Sequence, residues 1–494
     1  MKSIAPDGGA VCTRFAASPG GGLHVSSART ALLNWLFARH RGGRFILRID
    51  DIDPRRQRGA FVRDILEALR WLGLDWDEGP EVSGPKPPYR QSRRTDLYAD
   101  AVNRLKAAGQ AYECFCEPVQ EDDAFLQEHS VCDGRCRDLA EADRDRLRDE
   151  GCRPAVRLRM APGAITFDDV IQGPVSVEAE TMDDFVIARA DGTPVSWFAG
   201  VVDDAAMGIT HVIRPADHLP DTPKQIRLYE ALGAPPPVFA HVGPVLARGS
   251  NKRLSRRHGA VTVQDFRDDG YLPDAMVDYL ARMGLGSEDA SEIFSLNELA
   301  ARFDLSRVSP GGVSWDPGEL RRVNGQHMRR LSPEERVAGT LPFLKGAGLV
   351  PESPDDETMD RVRLVVDILA DRLTTFRDII DEAALFFSDD CACDRASVVR
   401  WLSWERASAM LGRLKEVLAV QEPFTVEALE ACVRDFARTE GLALGRVIHP
   451  LRAAVTGERE GPRIFRVLAA LGRERCLARI DRALAMPAEP RQDS

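Results

Sequence analysis

The 494-residue chain has no run approaching the roughly 20 consecutive apolar residues of a membrane span, and Met1 to Ala10 carry no apolar signal core. No membrane contact and a cytoplasmic location are therefore expected. There is no internal repeat, which sets solenoids and propellers aside. The Gly-x-x-x-x-Gly-Lys-Ser/Thr loop is absent too, so a P-loop nucleotide fold is unsupported. A surplus of positive charge is also missing, since the formal net charge is -11. Net charge governs solubility and long-range repulsion, whereas nucleic-acid binding depends on where basic residues cluster. Such clusters stand at Arg253 to His258, Arg321-Arg322 and Arg329-Arg330. Charge thus neither supports nor excludes a nucleic-acid partner.

What is present reads as a soluble globular protein, with 29% charged and 44% apolar residues. Its length exceeds what one core accommodates and suggests roughly two to four domains. Thr30 to Arg39 repeats apolar residues with a helical period, and Arg44-Phe-Ile-Leu-Arg-Ile49 reads as a buried strand. A glycine loop, a helix and a strand in succession are the unit of a parallel α/β sheet. A cysteine-bearing, acidic section at about 111–190 interrupts this pattern. Sheet-like runs are expected at Asp184–Ala188, Phe198–Val202 and His211–Arg214. From about residue 326 the chain reads as helices, for example Asp360–Ala370 and Arg400–Met410, and the tail from Met486 is expected to fray.

Three groups of residues carry chemistry. Four of the ten cysteines fall in Cys114-x-Cys116 and Cys132-x-x-x-Cys136. Disulfides are unexpected in a cytosolic chain, and this spacing suits a tetrahedral thiolate zinc site. The alternative is a chance cluster of free thiols. The other six (Cys12, Cys152, Cys391, Cys393, Cys432 and Cys476) read as structural, with Cys391-Ala-Cys393 the closest pair. The second group is Gly20-Gly21-Gly22, leading through His24 into a helix. Glycines let a ligand approach the backbone, and a helix N-terminus offers free N–H groups to phosphate. By itself this is a weak signal, because glycines before helices are common and a lone histidine is more often structural. The third group is the basic run Lys252-Arg-Leu-Ser-Arg-Arg-His-Gly-Ala260.

Together the second and third groups resemble the two ATP-handling signatures of class I aminoacyl-tRNA synthetases, the glutamyl-tRNA synthetase family in particular. That family's first motif reads Arg-Phe-Ala-Pro-Ser-Pro-Thr-Gly-x-Leu-His. Arg14, Phe15, Ala16, Ser18, Pro19, Leu23 and His24 fit it, as do Ala28, Arg29 and Thr30 further on. Similar stretches follow at Leu72–Gly79, Pro88–Ser92, Val201–Asp204, Thr222–Gln225, Glu230–Pro235, Asp269–Pro273 and Pro450–Gly457. The resemblance therefore spans nearly the whole chain. It implies an α/β, Rossmann-like class I catalytic domain in two halves, 1–110 and 191–250. Between them, 111–190 would be a zinc-bearing insertion that meets the tRNA acceptor end. Residues 251–325 would hold the second signature and a stem-contact region, and 326–494 an all-α anticodon-binding region.

The activity implied is attachment of glutamate to tRNA(Glu) through a glutamyl-adenylate, with ATP, Mg2+ and a structural zinc as cofactors and a monomeric chain. His24 and Arg256 would act on the reacting phosphates. Ser26, Ser27, Asp217, His218, Arg253 and Ser255 would complete the ATP site with Arg256, and Arg14, Ala16, Ser18, Asp50, Ser196 and Arg214 the amino-acid pocket. Relatives carry Cys-x-Cys and Tyr-x-x-x-Cys in the insertion; Cys132 here replaces the tyrosine.

Several positions depart from the family. Ser26-Ser27 replace a Gly-Gly whose first glycine resembles a place where adenine packs flat against the backbone, so a hydroxymethyl group there would crowd ATP; the plainer alternative is that Ser27 caps the helix. Arg256 replaces a lysine that contacts pyrophosphate, and a guanidinium is not equivalent to an ammonium. Asp50 replaces a glutamate associated with the substrate's ammonium group. Ser196-Trp197 replaces a tyrosine followed by Asn or His, removing a phenol from the substrate wall, and Ala216 replaces a glutamate. Arg14 and Arg214 correspond to arginines that hold the substrate's carboxylates, a task suited to bidentate pairing. Two other readings stand beside glutamate charging: a paralogue that charges tRNA with a different amino acid, and a tRNA-binding protein that has lost activation.

Overall fold

The computed structural model describes residues 10–53, 59–116, 132, 134–255, 261–285, 293–388, 407–458 and 460–486. The chain divides into two compact units. One comprises Met1–Asp268 and Pro273–Val323, the other Asp269–Leu272 and Asn324–Ser494. No helix among the described residues is long and apolar enough to cross a membrane.

The first unit is built on parallel strand pairs. β1 (Cys12–Ala17) pairs with β2 (Arg44–Ile49), and β8 (His211–Pro215) pairs with β9 (Val238–Val242). The two pairs meet where the Thr210 N–H donates to the Cys12 carbonyl at 2.9 Å. α1 (Val25–His40) joins β1 to β2 and is buried along most of its length. A helix buried on all faces needs polar anchors to fix its rotation. Asn34, fully buried, donates to the carbonyls of Thr30 and Ile213, both at 2.9 Å. Arg29 donates to the carbonyls of Met283 and Gly243 at 2.9 and 3.0 Å, and burial lowers its pKa to about 10. Gly284, at φ +98, makes this possible: a Cβ there would lie 2.6 Å from an Arg29 nitrogen.

Between the parallel pairs come α2 (Gly59–Trp71), α3 (Thr95–Ala107) and a separate antiparallel sheet of β3 (Ala111–Cys114), β4 (Ala155–Leu158) and β7 (Phe185–Ala188). Within this section lie α4 (Glu141–Asp149) and a hairpin of β5 (Ala164–Asp169) and β6 (Gly173–Glu178). The hairpin does not stand alone, because Val170 N–H donates to the Phe239 carbonyl of β9 at 3.0 Å.

One sequence expectation fails here. Phe198–Val202, expected as sheet, lies inside α5 (Ser196–Met207). Five mostly apolar residues cannot distinguish a strand from a buried helix turn. Length decides, because the helix continues through Asp203-Asp204 to a left-handed Gly208 cap. α6 (Thr222–Ala231) follows β8.

The regular secondary structure described in the second unit is all helical. Apolar residues at helical spacing are buried, such as Val362, Val365, Val366 and Leu369 in Asp356–Leu369 and Leu411, Leu414 and Leu418 in Ala407–Val420. The helix ends carry caps: Ser332 forms a capping box with Glu335, and Asp355 accepts from the Thr358 N–H at 2.9 Å. Buried Asn324 ties in the short segment 269–272, accepting from the Leu272 N–H at 2.8 Å. Residues 400–406 of the expected Arg400–Met410 helix, Cys391-Ala-Cys393 and the tail beyond Met486 lie outside the described residues.

Candidate active site

The centre of the site is a knot of buried charge where β1, β2 and α5 converge. Arg14 on β1 and Arg48 on β2 are 6% and 1% exposed. Both point at α5, whose Asp203 and Asp204 are buried as well. Arg14 Nε donates to Asp204 at 3.1 Å, and Arg48 Nη1 donates to the same carboxylate at 2.6 Å. Asp203 accepts from Arg94 Nε at 2.6 Å, Tyr98 at 2.9 Å and Gln91 at 3.0 Å. Burial opposes ionisation of Asp204, but the facing Arg14 and Arg48 outweigh it and hold its pKa below the usual range. A pair of acids in an apolar helix is itself a signal, since buried carboxylates require partners. Asp203 and Asp204 lay in a family-like stretch and Arg48 in an expected strand, yet sequence reasoning assigned none of them a role.

Asp50 follows β2 and is gripped by Arg48 through two bonds of 2.6 and 3.1 Å. Burial still raises its pKa, although Arg48 counteracts this. Ala16 is on the same face of β1 as Arg14 and pairs in register with Arg48, while Ser18 is exposed just beyond the strand. On α5, Ser196 and Gly200 are four residues apart, so both lie on the face that carries Asp203 and Asp204. A Cβ at Gly200 would lie 3.8 Å from Arg48 Nη2. This face therefore offers small side chains beside the arginines. Trp197 packs edge-on against Phe185 at 4.7 Å and is partly buried against the core.

Arg214 completes the cationic group at the end of β8. Its Nε donates to His241 Nε2 at 3.0 Å, its Nη2 donates to Thr222 Oγ1 at 2.8 Å, and its guanidinium lies 5.5 Å from the Phe239 ring. Burial, and next the like charge of Arg14, lower its pKa to about 10. Buried Tyr229 of α6 is near this group: burial raises its pKa, and it feels the charges of Asp204, Arg14, Arg48 and Arg214.

The glycine loop leads to His24, the N-cap of α1, whose Nδ1 accepts from the Ser26 N–H at 3.1 Å. Ser27 therefore does not cap the helix; it lies inside the first turn, because the histidine has taken the capping position. Val25 N–H donates to the Val261 carbonyl at 2.8 Å and Val263 N–H to the Leu23 carbonyl at 2.9 Å, so the flank of the second signature is bonded to the first. Arg253 forms a two-pronged ion pair with Asp217, which joins that signature to the segment after Arg214. Ser255 is partly buried beside it, and His218 is exposed with Asp221 at 3.9 Å. Arg256 lies outside the described residues.

At the end of β3, the sulfurs of Cys114, Cys116, Cys132 and Cys136 all lie within 4.8 Å of one another. Cys116 is 3.4 Å from Cys132 and 3.6 Å from Cys136, and Cys114 is 3.6 Å from Cys132. A tetrahedron with metal–sulfur bonds of about 2.3 Å has edges of about 3.8 Å, so this donor set fits a zinc ion.

The geometry is that of a class I tRNA synthetase catalytic domain. Residues 10–321 match the family model for class I (E and Q) tRNA synthetase catalytic domains, and residues 335–484 match an anticodon binding domain. The chain belongs to this synthetase family. Over 479 residues it is 42% identical to the glutamate–tRNA ligase of Moorella thermoacetica, covering 96% of this chain and 98% of that one. It is 40% identical over 483 residues to the Desulforudis audaxviator enzyme of the same name, covering 96% of each. Among solved structures, a glutamate tRNA ligase from Elizabethkingia meningosepticum in complex with its amino acid superposes with a TM-score of 0.86 at 30% identity, over 96% of this chain and 99% of that one.

Proposed function

We propose that this chain is a glutamate–tRNA ligase. The observation that supports the reading is the pairing of Arg14 and Arg214, near enough for each to feel the other's charge, in a chain similar to such ligases over almost its whole length. The α-carboxylate of glutamate attacks the α-phosphorus of Mg-ATP, forming the acyl phosphate bond and expelling pyrophosphate. A terminal ribose hydroxyl of the tRNA then attacks the acyl carbon and displaces AMP. Neither step needs a side-chain nucleophile; both depend on position and on stabilising phosphate charge. Arg14 and Arg214 hold the substrate's carboxylates, and Asp50 meets its ammonium group. Ala16, Ser18 and Ser196 complete the pocket wall. Ser26, Ser27, Asp217, His218, Arg253 and Ser255 surround the nucleotide, where His24 and Arg256 meet the reacting phosphates. The four cysteines hold one zinc, which knits the insertion together. The helical unit binds the anticodon region of tRNA(Glu), and the chain acts as a monomer.

Pyrophosphate exchange across a panel of amino acids is the test. Glutamate alone should support exchange, and His24→Ala should slow it far more than it weakens tRNA binding. Exchange with another amino acid only, or with none, would overturn the reading. Metal analysis of protein prepared without chelators should find about one zinc per chain, reduced in Cys132→Ser. Zinc-free protein would refute the four-cysteine site.

A further inference from the structure

Arg214 is aimed by a chain of hydrogen bonds that begins in the inserted hairpin. Asp169 ends β5, and its Oδ1 accepts three backbone N–H groups: Ile171 at 3.0 Å, Gln172 at 2.8 Å and His241 at 3.1 Å. Its Oδ2 faces His241 Nδ1 at 2.6 Å. His241 Nε2 in turn receives the Arg214 Nε–H at 3.0 Å. Both side chains of the Asp169–His241 pair are fully buried. The carboxylate can only accept and the guanidinium can only donate, so one imidazole form satisfies both neighbours. That form is neutral, with its proton on Nδ1. Gln172 Nε2 also holds the His241 carbonyl at 2.8 Å, which fixes the ring's place on β9.

We propose that Asp169 and His241 are positioning residues for the amino-acid site, which hold Arg214 in line through the Nδ1–H form of the imidazole. The inference rests on the reading of Arg214 as a substrate-carboxylate ligand. The groups facing His241 are Asp169 at the end of β5, Arg214 from β8, Thr222 Oγ1 from α6 at 3.2 Å, and the charge of His218. Arg14 and Asp221 act in turn on the Arg214 guanidinium. Burial lowers the His241 pKa, and the Asp169 hydrogen bond only partly offsets this. The neutral form therefore persists at neutral pH. A second ring proton would set N–H against N–H at Arg214.

Asp169→Asn is the sharpest variant, because it keeps the shape and an oxygen for the three backbone donors. Its amide must present either a donor or a rotated oxygen to Nδ1. With the donor there, the ring proton moves to Nε2 and opposes Arg214. Nitrogen-15 NMR of the imidazole should show the Nδ1–H form in the parent and the Nε2–H form in Asp169→Asn. In glutamate-dependent exchange, Asp169→Asn and His241→Ala should each raise KM for glutamate by about tenfold or more, the scale of one charged hydrogen bond. KM for ATP should stay near the parent's. His241→Gln, whose amide oxygen can replace Nε2 as acceptor, should recover most of the loss. In the parent, KM for glutamate should rise only as pH falls below about 6.5, the ordinary histidine pKa. An Nε2–H imidazole in the parent, or unchanged glutamate KM in both folded variants, overturns the inference. If the parent shows no exchange with glutamate, the proposed function fails instead, and the NMR form of the ring still decides this proposal.

Discussion

The two units of this chain handle charge in opposite ways. In the first unit, Arg14, Arg29, Arg48, Arg94, Asp169, Asp203, Asp204 and His241 are all buried, and their bonds connect β1, β2, β5, β8, β9 and α5. In the second, the cores of the described helices are apolar, and ion pairs such as Arg413–Glu440 and Arg434–Glu430 lie at the surface. Arg479 is the exception, buried and donating to the carbonyls of Val455, Leu385 and Ser388 rather than to an acid. Burying charge is expensive and rarely the cheapest route to stability. The helical unit follows the cheaper route. The first unit instead fixes its buried charges by pairing them across elements distant in sequence.

The largest break in this contrast should come from Asp204→Asn. It leaves Arg14 and Arg48 without their shared carboxylate, and removing one partner of a buried pair costs about 3–5 kcal/mol. Urea unfolding of the catalytic unit should report the loss, with glutamate-dependent exchange abolished. The sign with pH follows from the depressed pKa of Asp204. Its stabilising contribution is complete above the unfolded value of about 3.9 and disappears as pH falls through the lower folded value. In the helical unit, Ser332→Ala should cost about 1 kcal/mol, the ordinary value of an N-cap, and leave exchange intact. Glu440→Gln should be smallest. It breaks an exposed pair, and the unfolding midpoint should not move measurably. A large effect at Glu440, or a negligible one at Asp204, would erase the distinction between the units.

Several local features around the candidate site could be read from the sequence because their signals lie within a few residues. Gly20–Gly22, His24 and the helix after them are contiguous, and the helix begins where the motif ends. The run Arg44–Ile49 is a strand over those same residues. The cysteine spacing was enough to expect a tetrahedral set, and the sulfurs lie together. Phe198–Val202 was misread because its apolar run has no period of its own. The capping role went to His24 rather than Ser27, a choice that depends on where the backbone turns, not on which residue has a hydroxyl.

By itself, then, the sequence determined the helical period of segments such as Asp356–Leu369, the alternation of strand and helix in the first unit and the start of α1 just after the glycine loop. It could not reveal which charges face each other. Arg14 meets Asp204 across 190 residues of sequence, and Asp169 meets His241 across 72. Propensity and periodicity act within a few turns of chain, whereas a buried ion pair depends on how sheet and helix pack. Tertiary structure alone joined the hairpin, β9 and β8 into one line of hydrogen bonds that ends at Arg214.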